Sequence, residues 1–153
     1  MLRRAVLSDA GHLAALINAA FVVEQPIFGG DRTNTDAVHA LLDRGHFLVL
    51  EESNRLVGCV FVEVRGKRGY VGLLSVEPSR QGSGLGRTLM AAAEQYFGQA
   101  HCKVIDLRVM SARTPLPGFY EHLGYEETHR SELPAQTRPK VPCCYIHMSK
   151  RLK

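Results

Sequence analysis

The sequence predicts a single α/β domain. Apolar, strand-like runs alternate with stretches whose apolar residues recur every three or four positions, which is the pattern of a sheet with covering helices. A strand, a glycine-rich loop and a helix follow one another without interruption between Gly72 and Phe97. No repeat, low-complexity tract or linker divides the 153 residues, so residues 1–153 read as one unit with a substantial core.

Each element has a local reason. Leu2 to Val6 reads as a short strand. Ser8-Asp9 offers a helix cap, and Leu13, Leu16, Ile17, Ala20 and Phe21 mark an amphipathic helix to about Val23. Glu24 to Asn34 carries Pro26, Gly29 and Gly30 and reads as a loop. Asn34 or Thr35 caps a second helix with Val38, Leu41 and Leu42 facing inward, and Gly45 ends it. His46–Glu51 and Leu56–Val64 are strands around a Ser53-Asn54 turn, and Gly66-Lys67-Arg68-Gly69 is a basic hairpin turn into Tyr70–Val76. Pro78 has no N–H for a sheet ladder, so that strand ends before it. Leu85, Leu89, Met90, Ala93 and Phe97 then recur at helical spacing, with Gly98 as the stop. Val104–Met110 is apolar enough for a buried strand. Pro115 and Pro117 bracket the start of a short helix, Gly118–Leu123. Strands near Glu126–Arg130 and Cys143–Met148 enclose a loop, Ser131–Pro142, with three prolines.

Composition narrows the class. Hydrophobic residues make up 45% and charged residues 22%, as in an ordinary globular protein. No unbroken apolar run approaches 18 residues, so no membrane span is expected, and the strand-like start suggests no signal peptide. The net charge of +4 suits a small polyanionic ligand. Nucleic acid is not indicated, because no basic stripe interleaved with aromatics accompanies the charge. Cys59 and Cys102 lie in apolar segments and read as buried thiols, and adjacent Cys143 and Cys144 would point to opposite faces of a strand. No Cys-x-x-Cys pair is present and the seven histidines are scattered, so no metal site is expected. Unpaired cysteines make a reducing cytoplasm the default.

The glycine-rich loop is an anion site by construction. Gly82, Gly84 and Gly86 let backbone N–H groups crowd around a phosphate, and the first helical turn adds its own free N–H groups. Arg87 adds a fixed positive charge. Two phosphate loops fail on spacing. A triphosphate P-loop needs a glycine five residues before Gly86, where Gln81 stands, and a dinucleotide loop needs a glycine where Arg87 or Leu89 stands.

What remains is Gln81-x-x-Gly84-x-Gly86, after a strand ending Val76-x-Pro78. This resembles the acyl-CoA loop of the GNAT (Gcn5-related N-acetyltransferase) superfamily, and the order of elements matches that fold along nearly the whole chain. The resemblance implies a mixed six- to seven-stranded sheet, splayed between its fourth and fifth strands, with helices on both faces. It also implies acetyl-CoA as acyl donor. Gly82, Ser83, Gly84, Leu85, Gly86 and Arg87 would grip the pyrophosphate, with a hydroxyl from Thr88. Leu74, Ser75 and Val76 would offer a backbone edge to the pantetheine arm. Phe119-Tyr120-x-x-x-Gly124-Tyr125 resembles the segment whose tyrosine protonates the departing thiolate, which makes Tyr120 the general acid.

The chain departs from the family pattern at two positions. Arg113 stands where many members have an asparagine, and would bind CoA phosphate or the acceptor. Tyr70 stands where some place a catalytic glutamate, so the base is left to Glu24, Glu63, Glu77 or a water chain. The implied activity is transfer of acetyl to a primary amine, small or peptidic, by direct attack in a ternary complex. The acceptor pocket would lie among Phe21–Arg32, Tyr70 and the Ser131–Pro142 loop. A non-catalytic acyl-CoA-binding module is the alternative that the two departures would suit. The exposed last strand of this fold offers an edge for a homodimer.

Overall fold

Seven strands form one mixed sheet in a computed structural model that describes all of residues 1–153. They are β1 (Leu2–Arg4), β2 (His46–Glu52), β3 (Arg55–Arg65), β4 (Arg68–Val76), β5 (Val104–Met110), β6 (Glu126–Glu132) and β7 (Cys144–Arg151), in the order β1-β2-β3-β4-β5-β7-β6. All neighbours are antiparallel except β4 and β5. The helices are α1 (Ala10–Ala20), α2 (Gln25–Phe28), α3 (Thr35–Leu42), α4 (Leu85–Gln99) and α5 (Pro115–His122).

The sheet opens between β4 and β5. Only Arg68↔Val104, Gly69↔Ile105 and Tyr70↔Asp106 pair there, and beyond Tyr70 the two strands diverge. The expected splay is therefore present, with Tyr70 at its vertex.

A bulge in β4 shapes one wall of this opening. Leu73 has φ +52°, and the β3–β4 register shifts between Cys59 and Phe61. The extra residue reverses the alternation of faces. Val71 packs into the core under α4, whereas Leu73 packs on the opposite face, and Leu74 and Val76 return to the α4 side. An unbroken alternation from Val71 would have put Leu73 and Ser75 on the α4 side instead.

Each face of the sheet has its own core. On one, Leu89, Met90, Ala93 and Phe97 of α4 meet Val60, Val62, Val71, Ile105 and Met148, and Tyr120 and Tyr125 extend this cluster. On the other, Leu13 and Ile17 of α1 and Val38 of α3 cover Phe47, Val49, Cys59 and Phe61. Gly69 permits the close approach of α4, because a Cβ there would lie 2.4 Å from the Phe97 ring.

Several boundaries differ from expectation for physical reasons. Asp9 does not cap α1 through its side chain. Its carboxylate turns back to the Val6 N–H at 2.7 Å and to Arg3 at 2.8 Å, tying β1 to the start of α1. Residues 25–28 are helical rather than loop, because Pro26 sits in the first turn, where its missing N–H costs nothing. The same reason starts α5 at Pro115, three residues before Gly118. Asn34 caps α3 as expected, accepting the Ala37 N–H at 2.8 Å. Cys59 and Cys102 are buried, although Cys102 lies in a connection and not in a strand.

Leu7–Phe28 is a 22-residue helical stretch apolar enough, by length and composition, to cross a membrane. The sequence shows no unbroken run because Asp9, His12, Asn18 and Glu24 interrupt it. Here the stretch breaks into α1, a 3-10 turn at Phe21–Glu24 and α2, and α1 lays Leu13 and Ile17 fully buried on the sheet.

Candidate active site

The β4–β5 opening continues into a cavity of about 600 Å³. The glycine loop closes one end. Gly82 and Gly84 have φ of +81° and +87°, a conformation that a side chain would strain. Gly84 is the N-cap of α4 and supplies no capping side chain, so the first-turn N–H groups of this 15-residue helix stay available to a ligand. Gly82, Gly84, Leu85, Gly86 and Arg87 all line the cavity, and Arg80 joins them. Arg80 is also ion-paired with Glu52. The Gln81 side-chain amide donates to the Val76 carbonyl at 3.2 Å and fastens the loop to the end of β4. Backbone donors, a helix N-terminus and two guanidiniums on one concave surface fit a pyrophosphate.

Three expected contributors face elsewhere. The Ser83 hydroxyl bonds the Arg80 carbonyl, and the Thr88 hydroxyl bonds the Gly84 carbonyl one turn back at 3.2 Å. Neither residue lines the cavity. Ser75 is 1% exposed and its hydroxyl donates to the Leu73 carbonyl at 2.9 Å. Its backbone is also committed. The Glu77 N–H donates to the Val57 carbonyl at 2.9 Å, which sets the β3-facing phase at residues 77 and 75. Val76 then faces the opening, and Leu74 and Val76 line it.

Tyr120 stands on α5 and is 6% exposed. Its ring meets Phe119 and Tyr125 edge-on, at centroid distances of 5.0 Å and 5.9 Å. Its hydroxyl makes no hydrogen bond within the protein and opens into the cavity. Burial pushes its pKa above the usual tyrosine value, and the nearby Arg113 guanidinium offsets part of that rise. The group therefore stays protonated at neutral pH.

The other end of the cavity is built from charged and aromatic side chains. A second cavity of about 240 Å³ adjoins it and shares Phe21, Glu24, Arg32, Met110 and Tyr145, but none of the glycine-loop residues. Phe28, Gly29, Gly30, Asp31 and Thr137 complete its lining, so segments expected around an acceptor do converge here. Glu24 is buried and held by Arg113 at 2.9 Å and Arg32 at 3.9 Å. Both guanidiniums also lie over the Phe21 ring, at 5.6 Å and 5.5 Å. Arg113 thus belongs to this end and not to the glycine loop, because Glu24 holds it there. Of the candidate bases, only Glu24 reaches the cavity, and two arginines occupy its carboxylate. Glu63 is turned to Arg44 and Arg65, whose hydrogen bonds hold it below the usual carboxylate range, and Glu77 is turned to Arg55.

Phe119 of the tyrosine segment also lines the cavity, as do Arg108 and Tyr145, which nothing in the sequence analysis singles out. Arg108 and Tyr145 come together only because β7 inserts beside β5, an order that the chain's sequence of elements does not reveal. No cysteine lines the cavity, and burial pushes the Cys59 thiol to about 12. No group of three or more potential metal-ligating side chains occurs in the chain.

A splayed mixed sheet with a phosphate-fitting glycine loop at its opening defines an acyl-CoA-binding class of fold. The comparisons with known proteins agree. The family model described as "Acetyltransferase (GNAT) family" matches residues 13–125, and the chain belongs to that family. Among solved structures, the ribosomal-protein-alanine N-acetyltransferase from Brucella melitensis is 20% identical with a TM-score of 0.80, over 99% of each chain. The ribosomal-protein-S18-alanine N-acetyltransferase from Escherichia coli is 15% identical with a TM-score of 0.79, over 100% of this chain and 94% of that one. A putative streptothricin acetyltransferase from Bacillus anthracis, solved with acetyl coenzyme A, is 16% identical with a TM-score of 0.65, over 71% of this chain and 63% of that one. At these identities the likeness is one of fold.

Proposed function

We propose that this protein transfers the acetyl group of acetyl-CoA to a primary amine by direct attack in a ternary complex. The observation that carries the reading is the Tyr120 hydroxyl. It is unpartnered within the protein, held protonated by burial, and opens into the cavity that the glycine loop closes at one end. Acetyl-CoA is the acyl donor. Backbone N–H groups of Gly82 to Arg87 hold its pyrophosphate, with Arg87 adding charge. Leu74 and Val76 line the path of the pantetheine arm between β4 and β5.

The amine nitrogen bonds to the thioester carbonyl carbon, and the carbon–sulfur bond then breaks. Tyr120 gives its proton to the leaving sulfur and recovers one from solvent. The Val76 backbone, directed to the opening, is placed to polarise the carbonyl. No carboxylate in the cavity is free to take the ammonium proton, so water accepts it. With no thiol in the cavity, direct transfer is preferred to an acyl-enzyme.

The acceptor class is drawn from the fold. Two similar structures are N-acetyltransferases of ribosomal-protein alanine, so peptide N-termini head the candidates, with free amino acids and small amines beside them. The test is thiol release from acetyl-CoA against amines, amino acids, aminoglycosides and peptides, with Tyr120→Phe run in parallel. Release from one amine class, lost in Tyr120→Phe, supports the reading. Silence across the panel, with acetyl-CoA still raising the Tm, would move the assignment to the non-catalytic acyl-CoA-binding module.

A further inference from the structure

The acceptor end of the cavity carries more positive than negative charge. Arg32, Arg108 and Arg113 line it, against Glu24 and, in the adjoining cavity, Asp31. Glu24 is already shared by Arg113 and Arg32. Arg108 is different. Its guanidinium lies 4.2 Å from the centre of the Tyr145 ring and has no carboxylate partner. The one acidic neighbour on its face of β5, Asp106, is held by Arg68 at 2.7 Å and by Ser149 at 2.6 Å. A guanidinium that rests on an aromatic ring in a cavity, with its N–H donors unspent, is preorganised for a carboxylate.

We infer that the acceptor is an amine that also bears a carboxylate, and that Arg108 receives this carboxylate while the amine points towards Tyr120. This inference rests on the acetyl-transfer reading above and narrows its substrate class. The carboxylate can belong to a free amino acid or to an acidic residue near a peptide N-terminus. A simple polyamine or an aminoglycoside does not fit, because it would bring further positive charge to an end that already has a surplus.

The roles along the cavity then divide. The glycine loop holds the donor, Arg108 holds the acceptor's anionic group, and the Tyr145 ring gives the solvent-exposed guanidinium a surface to rest on at the cavity wall. Arg113 and Arg32 are positioning residues, held by Glu24.

The test pairs each acceptor with its neutral twin. Alanine, aspartate and glutamate are compared with their amides. Peptides with aspartate or glutamate at their second position are compared with the asparagine and glutamine versions. Thiol release from acetyl-CoA is measured with the native chain and with Arg108→Gln. The expected result is a kcat/KM higher for the acid than for its amide by about ten- to a hundredfold, the usual worth of a charge-assisted hydrogen bond. In Arg108→Gln the acid-over-amide preference in kcat/KM disappears, and the loss for the acid falls on KM and not on kcat. Which arm shows the preference identifies the source of the carboxylate. Equal or better use of the amides, or an equal loss for acid and amide in Arg108→Gln, overturns the inference and leaves Tyr120-dependent acetyl transfer standing. Thiol release from no acceptor overturns both. Circular dichroism of Arg108→Gln checks the fold, and Arg108→Lys, expected to restore part of the preference, separates charge from shape.

Discussion

The two ends of the cavity are built on different principles. At the glycine-loop end, the proposed recognition is carried by the main chain. Gly82 and Gly84 take up left-handed conformations, and the α4 N-terminus presents N–H groups that no side chain caps. The parts come from one stretch of sequence. At the proposed acceptor end, recognition would fall to side chains gathered from the 3-10 turn after α1, from α2 and the loop that follows it, from β5, the turn before α5 and β7. A main-chain site suits a ligand common to a whole family, because the side chains around it are free to vary. A side-chain site suits the acceptor, because each substitution changes its charge or shape.

Tyr120→Phe tests the point where the two ends meet, and the largest effect is expected there. Loss of a positioned acid lowers kcat by about a hundredfold or more, with the acetyl-CoA Kd unchanged. A fall of less than threefold would remove Tyr120 from the mechanism. Glu24→Ala breaks the acceptor end alone. It leaves Arg113 partly buried without its partner, so unfolding by denaturant shows a loss of about 3 kcal/mol. Acetyl-CoA binding measured by calorimetry survives in that variant. A stability change within about 0.5 kcal/mol, the range usual for a surface substitution, would show that the pair holds nothing in place. Gly84→Ala breaks the donor end alone. The left-handed backbone costs a non-glycine residue about 1 kcal/mol, and the acetyl-CoA Kd rises by about fivefold or more as the loop gives way.

The smallest effect sharpens the comparison through pH. Burial raises the Tyr120 pKa, so the acid stays protonated as pH climbs through the ordinary tyrosine value of 10.0. The kcat profile therefore shows no alkaline decline from this group below about pH 10. A decline centred near pH 8 that is absent in Tyr120→Phe would contradict the burial argument. At the acid end, Arg3 holds Asp9 below its ordinary range. The stability of that tie is fully present above about pH 4 and fades as pH falls through the lower folded value.

The donor end is legible in the sequence because a run of glycines before an amphipathic helix states its backbone geometry directly. The strand β5 is legible to the residue because apolar Val104 to Met110 is bounded by polar positions on both sides. The acceptor end is much less so. Glu24 meets Arg113 across 89 positions of sequence, and nothing local in either segment names the other. Arg108 meets Tyr145 because β7 enters between β5 and β6. Pro26 and Pro115 read as breakers, although in a first turn proline is compatible with a helix. Ser75 reads as part of the open edge because the extra residue at Leu73 cannot be seen in the alternation of residue types.

That extra residue has a consequence for how this chain tolerates change. Leu74 and Val76 share a face with Val71 because the bulge absorbs one residue between them. Replacing Leu73 alters packing and the strain of its left-handed backbone, which glycine would relieve and a β-branched residue would increase. Deleting Leu73 restores simple alternation, and Leu74, then two positions after Val71, keeps its face, as do Ser75 and Val76. The wall beside the proposed acyl-donor site thus keeps the faces of its side chains when the bulge is lost, and what goes is the local bend of the strand. Acetyl-CoA binding to the Leu73 deletion variant, measured by calorimetry, is expected to stay measurable with a raised Kd, because the side chains of the wall are kept and its bend is not.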